Sequence, residues 1–116
     1  MPSSRIAAAI PVLEELNVIL DRAYWEANSM NVKDAIYDCI SAISRELSEL
    51  GKLSVQDHDL IYEPISSEFK IATRRITLFR KYLDGNIMRT STLTRLDSAT
   101  SALLQLITPD QDNYPN

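Results

Sequence analysis

The stretch NVKDAIYDCISAISRELSELG, residues 31–51, decides the fold class, because its apolar residues recur at spacings of three and four. On a helix with 3.6 residues per turn, positions with this spacing share one face. Asn31 is the predicted N-cap of the helix, and Gly51 is its predicted end. The stretch therefore predicts an amphipathic helix whose buried stripe is Val32, Ile36, Cys39, Ile43, Leu47 and Leu50.

Three other segments repeat this helical spacing. A first helix is predicted from Pro11, which suits a first turn because that position needs no N–H, and its stripe is Val12, Leu16, Ile19, Ala23 and Ala27. A third stripe is Tyr62, Ile65, Phe69, Ala72, Ile76, Phe79 and Leu83. A fourth stripe, after several hydroxyl residues that could cap a helix, is Leu93, Leu96, Thr100, Leu103 and Ile107.

The third segment begins with a capping signal and contains a proline. Ser54 and Asp57 form a pair that resembles a capping box. Pro64 removes a helical hydrogen bond and crowds the preceding turn. We therefore expect either a kink at residues 62–63 or a short helix that ends there, with Pro64 in the first turn of the next one. Three apolar residues of this segment are the leading core candidates: Phe69, Ile76 and Phe79.

These patterns predict an all-α protein, as a four-helix antiparallel bundle or as paired helical hairpins. We expect one domain over residues 1–116, with a loose arm or an extra helical turn at 1–9 and a disordered tail at 109–116. No apolar run is long enough to span a membrane. The apolar N-terminal stretch is interrupted by Pro11, Glu14 and Glu15, so we expect no signal peptide and a cytoplasmic protein.

Charge is distributed unevenly along the chain. The net charge is −4, and residues 1–69 carry five bases and twelve acids, whereas residues 70–95 carry seven bases and one acid. The basic segment fits a solvated face, a contact with an acidic protein or, least well, a nucleic-acid surface, because apolar residues separate its bases. The acidic first 69 residues are themselves a candidate partner for it, within the chain or across a dimer.

The sequence offers little for catalysis. His58, the only histidine, lies near Asp57, Asp59 and Glu63, which could hold a metal. Acids at a helix N-terminus are the simpler interpretation. No phosphate-binding glycine loop or nucleophile elbow occurs. Cys39 is expected to be a buried thiol rather than a reactive one. We expect no enzyme, no cofactor and no metal, and we expect four acids on exposed faces: Glu14, Glu15, Glu46 and Glu49.

Apolar residues outside the main stripes predict an interface. Val18 and Trp25 lie beside the first stripe, and Leu104 and Leu106 lie beside the fourth. An exposed apolar patch with aromatic residues and arginines is typical of protein-binding surfaces. Self-association as a homodimer is its simplest form. The predicted partner-binding residues are Val18, Trp25, Ile71, Arg74, Arg75, Leu78, Arg80 and Tyr82.

The stretch HDLIYEPISSEFKIATRRITLFRKYLDGN, residues 58–86, carries a family resemblance. A histidine is followed by Tyr62, Glu63 and Glu68, and then by an aliphatic-rich segment that ends near Gly85. This pattern resembles the long second helical half of the small quorum-sensing antiactivators, and Pro64 departs from it. The resemblance implies a dimeric all-α protein that captures a LuxR-type transcription activator and blocks its dimerisation or its contact with DNA.

Together these observations predict a small regulator that sequesters or occludes a partner protein. The alternative is a secretion chaperone or an immunity-type binding protein, which would share the size, acidity and helicity. We expect no direct binding of nucleic acid and no membrane association.

Overall fold

The computed structural model describes residues 5–74, 85 and 89–107. These residues form four α-helices, α1 (Ile6–Glu26), α2 (Met30–Gly51), α3 (Ser67–Thr73) and α4 (Thr90–Ile107), and a short 3-10 helix, Gln56–Asp59. An isolated antiparallel bridge joins Arg5 and Ile61. The predicted all-α class is confirmed. None of the described helices is long and apolar enough to cross a membrane.

Helix α1 is the centre of the fold, because it packs against both α2 and α4. It therefore buries a wider face than the predicted stripe, and Leu13 and Leu20 are both fully buried. The helix begins at Ile6, so residues 6–9 form the extra helical turn that we expected as the alternative to a loose arm. The Ile6 N–H donates to the Leu60 carbonyl at 2.9 Å, which satisfies one of the unpaired donors of the first turn.

Pro11 lies inside α1 rather than in its first turn, which corrects the predicted start of this helix. A proline there donates no hydrogen bond to the carbonyl of Ala7, four residues before it. Both residues are exposed, so water can reach that carbonyl. The helix tolerates the proline because its opposite face is packed into the core.

Helix α2 follows its predicted stripe closely and ends at Gly51 as predicted. All six stripe residues are buried or half-buried. The predicted cap is wrong: the N-cap is Ser29, whose hydroxyl accepts a hydrogen bond from the Val32 N–H at 3.2 Å. Ser29 is extended and precedes the first helical turn, which is the geometry that a serine cap requires.

The chain between α2 and α3 is not a kinked helix. Ser54 and Asp57 form the predicted hydrogen-bonded pair, in which the Ser54 hydroxyl donates to the Asp57 carboxylate at 3.0 Å and accepts from the Asp57 N–H at 3.3 Å. The pair stands at a single 3-10 turn, whose N-cap residue, Val55, provides no capping side chain. The next six residues, 60–65, are not helical, and α3 starts after its N-cap Ser66. Pro64 therefore precedes the new helix instead of lying in its first turn. Ile65 is 41% exposed, because an extended segment does not keep the helical spacing that placed it in the core.

Two residues of the predicted core stripe of this region are confirmed where the structure describes the chain. Tyr62 and Phe69 are buried as predicted. Ile76 and Phe79 lie outside the described residues, as does the 109–116 tail.

Helix α4 buries more of its surface than the sequence indicated. Its buried residues include Leu96, Thr100 and Leu103 of the predicted stripe. Leu106, one of the apolar residues outside the predicted stripes, is only 4% exposed, and the half-buried Leu104 packs against the same core. These two residues of α4 therefore belong to the core and not to an interface. Two ion pairs also join this end of the chain to α1: Arg89–Glu26 at 3.8 Å and Arg95–Glu15 at 2.9 Å.

Candidate protein-binding groove

An open groove of about 1000 Å³ lies between α2 and α3. On α2 it extends from Ala35 to Ser48, a length of about 20 Å at 1.5 Å per residue. Two buried residues of α2, Cys39 and Ala42, form part of its lining, and α3 contributes Ile71 and Ala72. The apolar lining of α2 runs from Ala35 to Ala42, about two helical turns, and farther along α2 the lining is polar, with Ser44, Arg45 and Ser48.

Two large side chains at this groove remain open to solvent. Tyr37 of α2 is 62% exposed and Ile71 of α3 is 50% exposed, and both line the groove. Exposed apolar groups on a concave surface are typical of sites where another molecule docks. The groove therefore has the shape and chemistry to receive an apolar element of a partner.

Charged residues define one side of the groove. Arg45 lies between Glu49 and Glu68, at 3.7 Å and 3.8 Å. The pKa of the Glu68 carboxyl is lowered by a hydrogen bond to its own backbone N–H, by the Ser67 hydroxyl and by Arg45. Asp38 also lines the groove and forms no ion pair with another described residue. Asp38 is thus the acid that a basic group of a partner could approach.

An aromatic corner adjoins the groove where α1 meets α2. Trp25 is 73% exposed and packs edge-on against Tyr24, with ring centroids 5.1 Å apart. The Lys33 ammonium lies 4.6 Å from the Tyr24 ring centroid and 5.6 Å from that of Trp25. Lys33 is one turn before Tyr37 on α2, so these residues connect the corner with the groove. Tryptophan beside a cation is a frequent anchor in protein interfaces.

The α3 side of the groove is attached to α2 through a buried carboxylate. Glu46 is 0% exposed, which corrects its predicted place on an exposed face. Its carboxylate accepts hydrogen bonds from the Tyr62 hydroxyl at 2.7 Å, from the Ile65 N–H at 2.8 Å and from the Ser66 N–H at 2.8 Å. These bonds offset the cost of removing the charge from water. They fix the segment that leads into α3.

The electrostatics of this cluster act strongly on the tyrosine. Burial, the hydrogen bond to Glu46 and the charge of that carboxylate all raise the pKa of the Tyr62 phenol far above its ordinary value. Tyr62 therefore stays protonated as the donor across the ordinary pH range. A neutral donor and an ionised acceptor make a short, charge-assisted hydrogen bond.

The predicted partner-binding residues lie in more than one place. Ile71 lines the groove, Trp25 forms the aromatic corner, and the exposed Arg74 is the C-cap of α3. Val18 is 54% exposed on the opposite face of α1 from the core, among exposed Glu14, Asp21 and Arg22, and it does not line the groove. The remaining four lie outside the described residues: Arg75, Leu78, Arg80 and Tyr82.

The residues around His58 do not come together as a metal site. Asp57 is bonded to Ser54, and the Asp59 carbonyl accepts a hydrogen bond from the Arg5 guanidinium. Within residues 5–74, 85 and 89–107, no group of three histidine, cysteine or acidic side chains could hold a metal ion. The 3-10 helix that carries His58 instead lies against α1.

Sequence reasoning missed Glu46 and Tyr37. Glu46 lies three residues after Ile43 and four before Leu50, which is the spacing of the buried stripe, so its position carried the signal and its charge concealed it. Tyr37 carried no comparable signal, because α3 must be docked before Tyr37 lines a groove.

Comparison of the chain with known protein families, curated proteins and solved structures finds no match. The groove and its surroundings are therefore the observations from which a function can be proposed.

Proposed function

We propose that the chain is a small protein-binding regulator, which sequesters or occludes a partner protein by holding an apolar element of it in the α2–α3 groove. The observation that carries this proposal is the pair of exposed side chains, Tyr37 and Ile71, on a groove about 20 Å long whose lining on α2 is apolar over about two helical turns. Such a groove suits an amphipathic helix, which lies along it with its apolar face inward.

The partner element should carry a basic residue at its edge, because Asp38 lies at the groove without a counter-ion among the described residues. Trp25 at the aromatic corner would extend the contact beyond the groove. A stable interface buries roughly 1,200–2,000 Å² in total, and we propose that the contact spreads from Tyr37 in the groove to the aromatic corner through Lys33, one turn away on α2.

The resemblance of residues 58–86 to the quorum-sensing antiactivators makes a LuxR-type transcription activator the first partner to test. The 3-10 helix and the segment 60–65 interrupt the long helix that the resemblance implies. We propose a bundle arrangement for the helices, which the packing of α1 against α2 and α4 supports, and we propose a cytoplasmic homodimer. Light scattering on the purified chain tests the dimer.

The experiment uses two matched substitutions of exposed aliphatic residues. Ile71→Asp places a charge at the groove, whereas Val18→Asp places one on the outer face of α1 at a similar exposure. Partners are captured from the native organism with the wild-type chain and quantified by mass spectrometry, and the affinity of the recovered protein is then measured with each variant.

We expect Ile71→Asp to weaken binding at least about tenfold, since it removes an anchor of the hot-spot kind, whose loss costs about 2 kcal/mol or more, and places a charge beneath the docked element. Val18→Asp should bind as the wild type does. The opposite order of the two variants would move the binding surface to α1 and reject the groove. Unchanged binding by both variants would reject both surfaces.

A further inference from the structure

The segment 60–74, hereafter the strap, contributes few buried side chains to its contacts with the other described residues, 5–59, 85 and 89–107. It contains α3 and the extended residues before it. Among the described buried apolar residues, only Tyr62 and Phe69 belong to the strap, and the others belong to α1, α2, α4 or the α1–α2 corner. The main packing of α3 is against α2. The core of α1, α2 and α4 is therefore largely complete without the strap.

Three polar contacts of the strap converge on one side chain, and a separate ion pair joins Glu68 of the strap to Arg45 of α2 at 3.8 Å. Glu46 accepts hydrogen bonds from Tyr62, Ile65 and Ser66, which precede α3 in the chain. At the far end, Ile6 donates to the Leu60 carbonyl. Removal of a single carboxylate would thus release three of the contacts that position α3.

We propose that Glu46 controls a local opening, in which the strap leaves α2 as a unit while α1, α2 and α4 stay folded. Segments with few buried apolar contacts open at lower free energy than the whole protein. A carboxylate suits this role, because it becomes hydrated once the strap leaves and so does not remain as an unpaired charge in the interior. An apolar side chain at the same position would lack any acceptor for the three donors.

The opening also removes one wall of the groove. Glu68, Ile71 and Ala72 are the strap's contribution to it, and they would leave together. In this respect the inference rests on the proposed function: a partner that binds the groove would favour the closed strap. The opening itself requires no partner, so it can be measured on the purified chain alone.

The single cysteine gives a direct measurement. Cys39 is 8% exposed and lines the groove beside the strap residues. Its rate of reaction with a bulky aromatic disulfide reports strap opening when the strap recloses faster than the reagent reacts. Backbone hydrogen exchange, followed by mass spectrometry of peptides, reports the same event for residues 62–73 and for the core of α1.

We expect that, in wild-type protein at low urea, Cys39 labelling and exchange in residues 62–73 depend only weakly on urea, whereas exchange in the α1 core follows the full dependence of global unfolding. We expect Glu46→Gln to raise the Cys39 labelling rate on the order of ten- to a hundredfold, as for the loss of hydrogen bonds to a charged group. The matched control Glu49→Gln, one turn away on α2, should change it less than about twofold.

The inference is overturned if residues 62–73 and the α1 core open with the same free energy and the same urea dependence in the wild type, since the strap would then unfold only with the whole protein. Equal labelling rates for Glu46→Gln and Glu49→Gln would overturn the role of the carboxylate. Neither result involves partner binding, so each is distinguishable from a failure of the proposed function.

Discussion

Truncation of the buried carboxylate, Glu46→Ala, tests how strongly this cluster holds the fold together. The substitution leaves the Tyr62 hydroxyl and the Ser66 N–H buried without their acceptor. Each buried donor left unpaired costs about 1–3 kcal/mol. The Ile65 N–H lies on a more exposed residue and can bind water. We therefore expect the free energy of unfolding to fall by about 3 kcal/mol, a large part of the ~5–15 kcal/mol typical of a domain.

The assay is urea unfolding at pH 7, followed by circular dichroism at 222 nm. Glu49→Ala is the matched control, because it has the same change in helix propensity but removes a half-buried carboxylate that pairs with the exposed Arg45 and Lys52. We expect the control to lose less than about 1 kcal/mol.

If the strap opens in Glu46→Ala, the unpaired donors reach water and less free energy of unfolding is lost. The slope of that free energy against urea also falls, because less surface remains to be exposed on unfolding. The midpoint and the slope are therefore interpreted together. A loss below about 1 kcal/mol with an unchanged slope would refute the reasoning, because it would mean that the three donors find other acceptors at no cost.

Two further substitutions test the same region. Because the pKa of Tyr62 is raised in the folded state, its contribution to stability is complete below the ordinary tyrosine pKa of about 10 and is lost as the pH rises above that value, by up to about 1.4 kcal/mol per pH unit. Stability of Tyr62→Phe should therefore fall less steeply between about pH 9 and pH 11, and parallel curves for the two proteins would contradict the assignment. Phe69→Ala should cost about 3–5 kcal/mol in urea unfolding, since Phe69 is buried in the core, and a loss under about 1 kcal/mol would show that Phe69 adds little to the core.

The helical spacing was enough to predict the class of the fold and most of α2. Local signals such as the stripe from Val32 to Leu50 and the Ser54–Asp57 pair are independent of the rest of the chain. Both appear in the structure, and the second stands at a 3-10 turn rather than at the start of an α-helix. Cap positions were less predictable, because Ser29 and Asn31 are both good caps. Which of them occupies the N-cap position depends on how the α1–α2 corner is packed.

Glu46 shows why tertiary contacts were hard to anticipate. The helical spacing places Glu46 and Leu47 near the edge of the buried face, and we assigned the burial to the apolar one. In the structure Glu46 is fully buried and Leu47 only partly. The spacing within α2 indicated the buried position, but the donors that make a carboxylate stable there come from residues 62–66, which are remote in sequence and could not be predicted from α2 alone.

The apolar residues outside the predicted stripes show the same limit of a pattern within one helix. Leu106 lies outside the predicted stripe of α4, so the sequence alone suggested an exposed residue. In the structure α4 packs against α1, and its buried face is wide enough to include Leu106. The exposure of Trp25, Val18 and Ile71 was anticipated from the residues beside the main stripes. That Ile71 shares a groove with Tyr37 depends on the extended segment before α3, which Pro64 indicated only as a break.

The most direct test of the groove uses a photoreactive phenylalanine analogue, introduced at Tyr37 or at Val18 in chains expressed in the native organism. We predict that irradiation attaches one specific protein to the chain through position 37, and that Ile71→Asp in the same chain abolishes this adduct. Attachment through position 18 with none through position 37 would contradict the account, because the partner would then lie on the outer face of α1 and not in the groove between α2 and α3.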